Sequence, residues 1–146
     1  MAEIGFYHLT RSRRAEALPA LLGRTLAAGE RAVVLCESAE ELAAVDAALW
    51  TCPNPDWLPH GTAATPHPEW QPIYLTLTDE NPANAAFLFR LGGSPDMNRY
   101  RRVFDLFDGT DEAALAAART RWTEAKAAGH SLTYWRQTAQ GWEKSA

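Results

Sequence analysis

The polar and apolar positions of this chain switch repeatedly between two periods. Residues 3–9, "EIGFYHL", form a short apolar run with the β-formers Ile4, Phe6 and Tyr7, and predict a strand. Residues 11–28 change to helical spacing, with Leu18, Leu21, Leu22 and Leu26 recurring three and four apart. Ser12 or Thr10 is placed to cap that helix and Gly29 to stop it, while Pro19 argues for a start nearer the proline. "RAVVLC", residues 31–36, is a continuous apolar run of strand length, the mark of a strand covered on both faces. Residues 38–50 return to helix, with Ser38-x-x-Glu41 as a capping box and Leu42, Val45 and Leu49 as the apolar stripe. A Pro/Thr/His-rich loop follows, up to Trp70. Strands are then predicted at "PIYLTLT" (72–78), "AAFLFRLGG" (85–93) and "RRVFDLFDG" (101–109). An alanine-rich helix covers 111–128, Gly129 stops it, a last strand covers 131–137, and residues 139–146 are left as a tail.

Strands alternating with helices of ten or more residues require crossover connections, so the expected fold class is α/β with a largely parallel, doubly wound sheet. No internal repeat or long linker divides the 146 residues, and a single domain over 1–146 is expected. With 47% hydrophobic and 22% charged residues the chain is of ordinary globular composition. A net charge of −4 excludes a molecule built as a whole to wrap nucleic acid. No apolar run is long enough for a membrane span, and "MAEIGFYHLTRSRR" lacks the basic-then-apolar order of a signal peptide, which makes the cytoplasm the expected location. Cys36 and Cys52 do not make a disulfide framework.

A doubly wound sheet invites a nucleotide, but the turn after the first strand, "HLTRSRRA", has no glycine to let a phosphate approach. Neither G-x-G-x-x-G nor G-x-x-x-x-G-K-[ST] occurs, and in "LGGSP" Pro95 follows too soon. His60 and His67, with Cys52 upstream, miss the close ligand pairing of tetrahedral zinc sites. Cys52 and His60 lack an orienting third group, G-x-S-x-G is absent, and Asp105 and Asp108 read as turn-bonding aspartates at a strand end. The chain is thus expected to have no intrinsic catalysis, no cofactor and no metal. A nucleotide-binding domain or enzyme of unknown substrate stands as the alternative, on fold alone. Direct DNA binding would need "RSRR" (Arg11, Arg13, Arg14) and "RYRR" (Arg99, Arg101, Arg102) to meet on one surface.

The last helix carries a pattern of its own. At about 100° per residue, Ala114, Ala117, Ala118, Ala125 and Ala128 cluster on one side, suited to close approach to a sheet. Leu115, Arg119, Trp122 and Lys126 form a second stripe roughly 130° away. Two readings fit that stripe. Cations flanking an indole suit an acidic peptide with an apolar end. Equally, Lys126 near the helix end answers the macrodipole and Trp122 closes the core's edge.

Taken together the blocks "FYHL", "GERAVVLC", "VDAALWT" with "WLPHG", "RRVFDLFDG" and "ARTRWTEAKAAGHSLTYW" resemble the chi subunit family of bacterial DNA polymerase III, in order and through nearly the whole chain. The resemblance implies a Rossmann-like three-layer α/β fold and a non-catalytic clamp-loader accessory subunit, part of a DNA-directed DNA polymerase complex. It implies two partners: the psi subunit, and the acidic C-terminal tail of single-stranded-DNA-binding protein, with DNA reached only through the latter. Aligned on "AGH", the family's tail-binding arginine falls on Arg119, its aromatic on Trp122 and a further cation on Lys126, while a family lysine is replaced by Thr123. The psi-facing surface maps to "LWTCPNPDWLPHG": Trp50 and Trp57, with Leu58, Pro59 and His60 alongside. Tryptophans are favoured interface anchors and prolines stiffen a docking loop. The competing reading is that both tryptophans cover the domain's own sheet. The sequence leaves open whether Trp135 and Trp142 join the tail pocket.

Overall fold

A computed structural model of the chain describes residues 2–53 and 58–145. The elements are β1 (Glu3–Leu9), α1 (Arg14–Ala27), β2 (Ala32–Leu35), α2 (Ala39–Thr51), β3 (Ile73–Thr76), β4 (Phe87–Arg90), β5 (Arg102–Asp108), α3 (Glu112–Ala127), β6 (Ser131–Thr138) and β7 (Gly141–Lys144), with 3-10 turns at Pro68–Trp70 and Met97–Arg99. The strands make one sheet in the order β3-β2-β4-β5-β1-β6-β7. Every neighbouring pair is parallel except β6 with β7. The expected mixed α/β class with a largely parallel sheet is therefore present, though the order differs from the 3-2-1-4-5-6 of the dinucleotide-binding sheet.

Alternation along the strands sends side chains to two cores. Tyr7, Val34, Leu75, Phe89 and Leu106 face one side, where α1 and α2 cover them with Leu18, Leu22, Val45 and Leu49. Ile4, Phe6, Leu88, Val103 and Phe107 face the other, where α3 supplies Ala118 and, at its margins, Leu115, Trp122 and Ala125. Trp135 and Trp142 pack on the α1 side around Tyr7, at ring distances of 6.1 and 5.0 Å, so neither touches the pocket beside α3.

Several local expectations change. α1 runs through Pro19 and starts at Arg14. Its entry is held by Glu16, whose carboxylate accepts from the Arg13 amide at 3.0 Å, and not by Ser12 or Thr10. Arg14 also anchors that end, on the Leu91 carbonyl and on Glu37 and Glu41. Ser38 does cap α2, accepting from Glu41 N at 3.1 Å, but Glu41 reaches back to the Glu37 amide, one residue earlier than a capping box requires. The expected tail is strand β7, paired antiparallel with β6. The alanine face of α3 is also corrected. Ala117 and Ala128 are exposed, and the buried face is centred on Ala118, a rotation of about 50° toward Leu115 and Trp122.

The contact that holds α3 on the sheet lies in the middle of β5. Asp105 is 0% exposed, and Arg121 of α3 donates to both its oxygens, Nε at 2.7 Å and Nη2 at 2.9 Å. Arg90 on neighbouring β4 stands 3.8 Å from the same carboxylate. A bidentate guanidinium–carboxylate pair out of water tolerates little misalignment, so Arg121 must face the sheet. We expect Asp105→Ala, which strands the buried Arg90 and the partly buried Arg121, to lower the unfolding free energy by about 3 kcal/mol. Urea denaturation followed by tryptophan fluorescence measures this, and a loss under about 1 kcal/mol would remove the anchoring role.

Candidate functional site

On the β6 flank of α3 the rotated helix leaves a hollow of about 390 Å3, lined by Phe107, Leu115, Ala118, Arg119, Trp122, Thr123 and Tyr134. Each wall follows from local periodicity. Leu115, Arg119 and Trp122 are four and three residues apart on α3, so they stack along one side of the helix. Tyr134 alternates on β6 with Leu132 toward α3, and Phe107 comes from the end of β5. Buried Phe107 and Ala118 form the floor. The Trp122 ring is half-buried and meets Phe6 edge-on at 5.3 Å and Tyr134 at 5.9 Å, which fixes its plane.

The sequence stripe is thus resolved into two parts. Leu115 and Trp122 are margin residues of the core, while Arg119, Thr123 and Lys126 are exposed. Arg119 and Thr123 line the hollow with Trp122; Lys126 lies one turn farther along and does not line it. Phe107, Tyr134 and His8 were missed by sequence reasoning. They come from three strands, and only the β1–β5 and β1–β6 pairings bring them together. His8 Nδ1 is 2.6 Å from the Tyr134 hydroxyl, and the His8 ring is 5.2 Å from that of Phe107. A Cβ on Gly109 would sit 1.9 Å from the His8 ring, so glycine is needed there for the imidazole to fit.

The surroundings of the hollow are positive. Burial, then the Arg136 charge, push the His8 imidazole below its ordinary range, with Arg119 adding to the effect. Burial raises the Tyr134 phenol, and Arg119 and Arg136 partly offset the rise. A small aromatic cavity framed by guanidinium groups suits an apolar group beside a carboxylate.

The second expected surface divides differently. Trp50 at the end of α2 is 65% exposed, and its ring lies 4.7 Å from that of His60. His60 itself is buried, with Nδ1 2.8 Å from the Leu58 carbonyl and Nε2 2.8 Å from Asp46. Leu58 is core and Pro59 half-buried. Leu58 and His60 are thus corrected from surface residues to the support beneath Trp50. Trp57 lies outside the described residues. Trp70, which the sequence reading left at the edge of a loop, is 66% exposed and stacks on His67 at 3.9 Å. Gly61 pairs with β3 through Ile73 and Leu75, which brings the His60 segment along that edge strand.

The carboxyl ends of the strands, where a doubly wound sheet would hold a nucleotide, form a cleft of about 1030 Å3. Its helix N-termini are already served by the chain's own carboxylates. Glu16 takes the amide of Arg13, Glu41 that of Glu37, and Asp111 those of Ala113 and Ala114. The two arginine clusters do not meet. "RSRR" follows the end of β1 and "RYRR" precedes β5, and because these strands are parallel and in register the clusters lie roughly 20 Å apart. Arg99 pairs with Asp79 and Arg101 with Glu30. Cys36 is buried, and burial pushes its thiol up to about 12, leaving little thiolate for nucleophilic chemistry. Among the described residues no three His, Cys, Asp or Glu side chains gather as a metal site, and no helix is long and apolar enough to cross a membrane.

Comparison with known proteins agrees with this picture. A probable DNA polymerase III subunit chi from Rickettsia prowazekii (strain Madrid E) is 28% identical over 88 residues, which is 60% of this chain. The matched stretch is 53% of that protein, so the chain spans about half the length of the curated relative it matches. The family described as DNA polymerase III chi subunit, HolC, matches residues 1–133. With a match running from the first strand into the last parallel one, the chain belongs to the DNA polymerase III chi subunit family.

Proposed function

We propose that the protein is a non-catalytic adaptor of the replicase. In this reading the hollow beside α3 takes the acidic, apolar-ended C-terminal tail of single-stranded-DNA-binding protein, and the surface headed by Trp50 docks the psi subunit of the clamp loader. The observation that carries the first half is the aromatic hollow of Phe107, Trp122 and Tyr134 with Arg119 at its rim. The terminal apolar side chain enters the hollow, its carboxylate meets Arg119, and Lys126, one turn on, attracts the acidic residues that precede it. Thr123 offers a hydroxyl where a lysine would add charge, which removes on the order of 1 kcal/mol or less for an exposed contact. For the second half, Trp50 supplies an anchor whose ring rests against His60, with Pro59 alongside, and Trp57 is assigned to the same surface by the sequence resemblance alone.

The physical benefit is a second attachment. A polymerase complex bound to the coat of the template as well as to the template itself dissociates more slowly, through effective concentration and not through any new tight contact. DNA is then reached indirectly, in keeping with a net charge of −4 and with arginine clusters that lie apart and are in part paired with acids. The layered parallel sheet supports calling the fold Rossmann-like by analogy of architecture. A nucleotide-binding reading is disfavoured because the chain's own carboxylates occupy the helix N-termini. A cytoplasmic site of action follows from the same reading.

Three outcomes test this. Arg119→Ala should weaken binding of an Asp-rich peptide ending in Phe by about tenfold, or ~1.4 kcal/mol, in a tryptophan-fluorescence titration. Equal affinity in the variant would sink the assignment. His8 is the second probe. Burial and then the Arg136 and Arg119 charges hold the His8 midpoint down; peptide carboxylates offset the charges, so binding should raise that midpoint and affinity should grow as the pH falls through and below the ordinary histidine range of about 6.5. An NMR titration of the His8 ring proton with and without peptide measures this; a midpoint that stays put or falls contradicts the placement. Third, Trp50→Ala should abolish co-purification with psi while leaving the peptide affinity unchanged. Retained co-purification would remove Trp50 from that interface.

A further inference from the structure

The opposite flank of α3 borders a second, larger hollow of about 580 Å3, between the helix, the segment after β4 and the sheet. Arg90, Asp105 and Arg121 lie in its floor and inner wall, and Ile4, Phe6, Pro95, Met97 and Ala125 give it an apolar lining. The charges in that floor do not balance. Both oxygens of Asp105 accept from Arg121, at 2.7 and 2.9 Å. Arg90, only 9% exposed, stands 3.8 Å from the carboxylate, beyond hydrogen-bond reach. Its Nε and Nη2 both donate to the Gly93 carbonyl, at 3.1 and 2.9 Å, which is a neutral partner. Two guanidinium groups, that of Arg90 buried and that of Arg121 partly exposed, thus share one carboxylate. Burial pushes the Arg90 guanidinium down, with Asp105 working against the effect. The other charged groups nearby do not settle it. Glu124 lies at the mouth, exposed to water. Arg14 pairs with both Glu37 and Glu41, and none of the three lines the hollow. The His130 Nδ1 accepts from the Ala2 amide at 3.0 Å.

A buried cation that must share its one close carboxylate with a second guanidinium is under-compensated, and an added anion would relieve it. We propose that this hollow binds a small organic anion, a carboxylate or phosphate group on a compact apolar body, with Arg90 as its charge partner. The volume falls within the usual range for small-ligand sites, and the mixture of one convergent cation with apolar walls is the usual composition of such sites. The Ser94 hydroxyl in the lining is a neutral donor for the same group, while that of Thr120 already donates to the Ala116 carbonyl. None of Arg119, Trp122 and Thr123 belongs to this hollow, so the inference stands or falls apart from the peptide-binding reading.

The test is a backbone-amide NMR titration of the full chain with benzoate, with inorganic phosphate, and with benzamide as the neutral control. Benzoate should give saturable shifts at Gly93, Ser94, Thr120 and Arg121, with a midpoint on the order of millimolar, and benzamide should not. Saturation by phosphate at the same amides supports the site with the anionic group as determinant; saturation by benzoate alone supports it with the apolar body as part of recognition. Arg90→Gln should weaken the response at least tenfold. Should that variant not fold, Thr120→Trp at the exposed rim should block the hollow and abolish the response. The proposal is overturned by the absence of saturation up to about 50 mM, by equal binding of benzamide, by shifts confined to the Arg119 hollow, or by unchanged binding in whichever variant folds.

Discussion

Asp105 sits mid-strand with no exposed surface and grips Arg121 through both oxygens, and the placement of α3 depends on that grip. A helix lying on a sheet with a face of alanines has little shape to fix its rotation, because small side chains slide and turn at low cost. A bidentate ion pair removed from water supplies what the alanines lack, since misalignment leaves a buried charge unpaired. Once Arg121 points inward, helical geometry does the rest: Ala118 and Ala125 face the sheet, Trp122 falls on the margin toward β6, and Arg119 turns to solvent beside it. The shape of the hollow on one flank is thus tied to an interaction on the other.

The two hollows beside α3 are consequences of the same small-residue face. Alanines bring the helix close to the sheet but do not fill the spaces at its edges. On the β6 side the space is walled by rings already committed to the core: Trp122 against Phe6, Tyr134 against His8, and Phe107 beneath them. Such rings lose little freedom when an apolar group arrives, which lowers the entropic cost of binding. On the other side the same gap exposes the unbalanced charge that holds the helix down.

The Trp50 surface follows a comparable logic with different parts. An exposed indole alone is a mobile anchor. Here His60, fixed at both ring nitrogens and buried, forms a platform against which Trp50 rests. Within "WLPHG" the residues that look like surface chemistry are structural support, and the surface is offered by a tryptophan from the preceding helix. Gly61 continues this role by pairing with the edge strand β3, partly covering an edge that would otherwise invite strand addition.

Strand and helix positions were legible because each buries one face, and burial imprints a period on the chain: the doubly covered run at residues 32–35 and the Val45–Leu49 stripe needed no tertiary knowledge. The resemblance carried by the ordered blocks was equally available to the sequence, and with it Arg119, Trp122 and Trp50 as the residues to watch. What only the folded molecule decided were contacts between residues distant in the chain. Pro19 remained inside α1, whose start is anchored from elsewhere by Arg14 on Glu37 and Glu41. The final residues became β7 because β6 offered an open edge, which no local pattern announces. The anchoring of α3 through one long-range ion pair, the burial of His60 and the joining of His8, Phe107 and Tyr134 likewise depend on strand order. Periodicity records which face a residue takes within its own element; which neighbour it meets across that face is settled by packing.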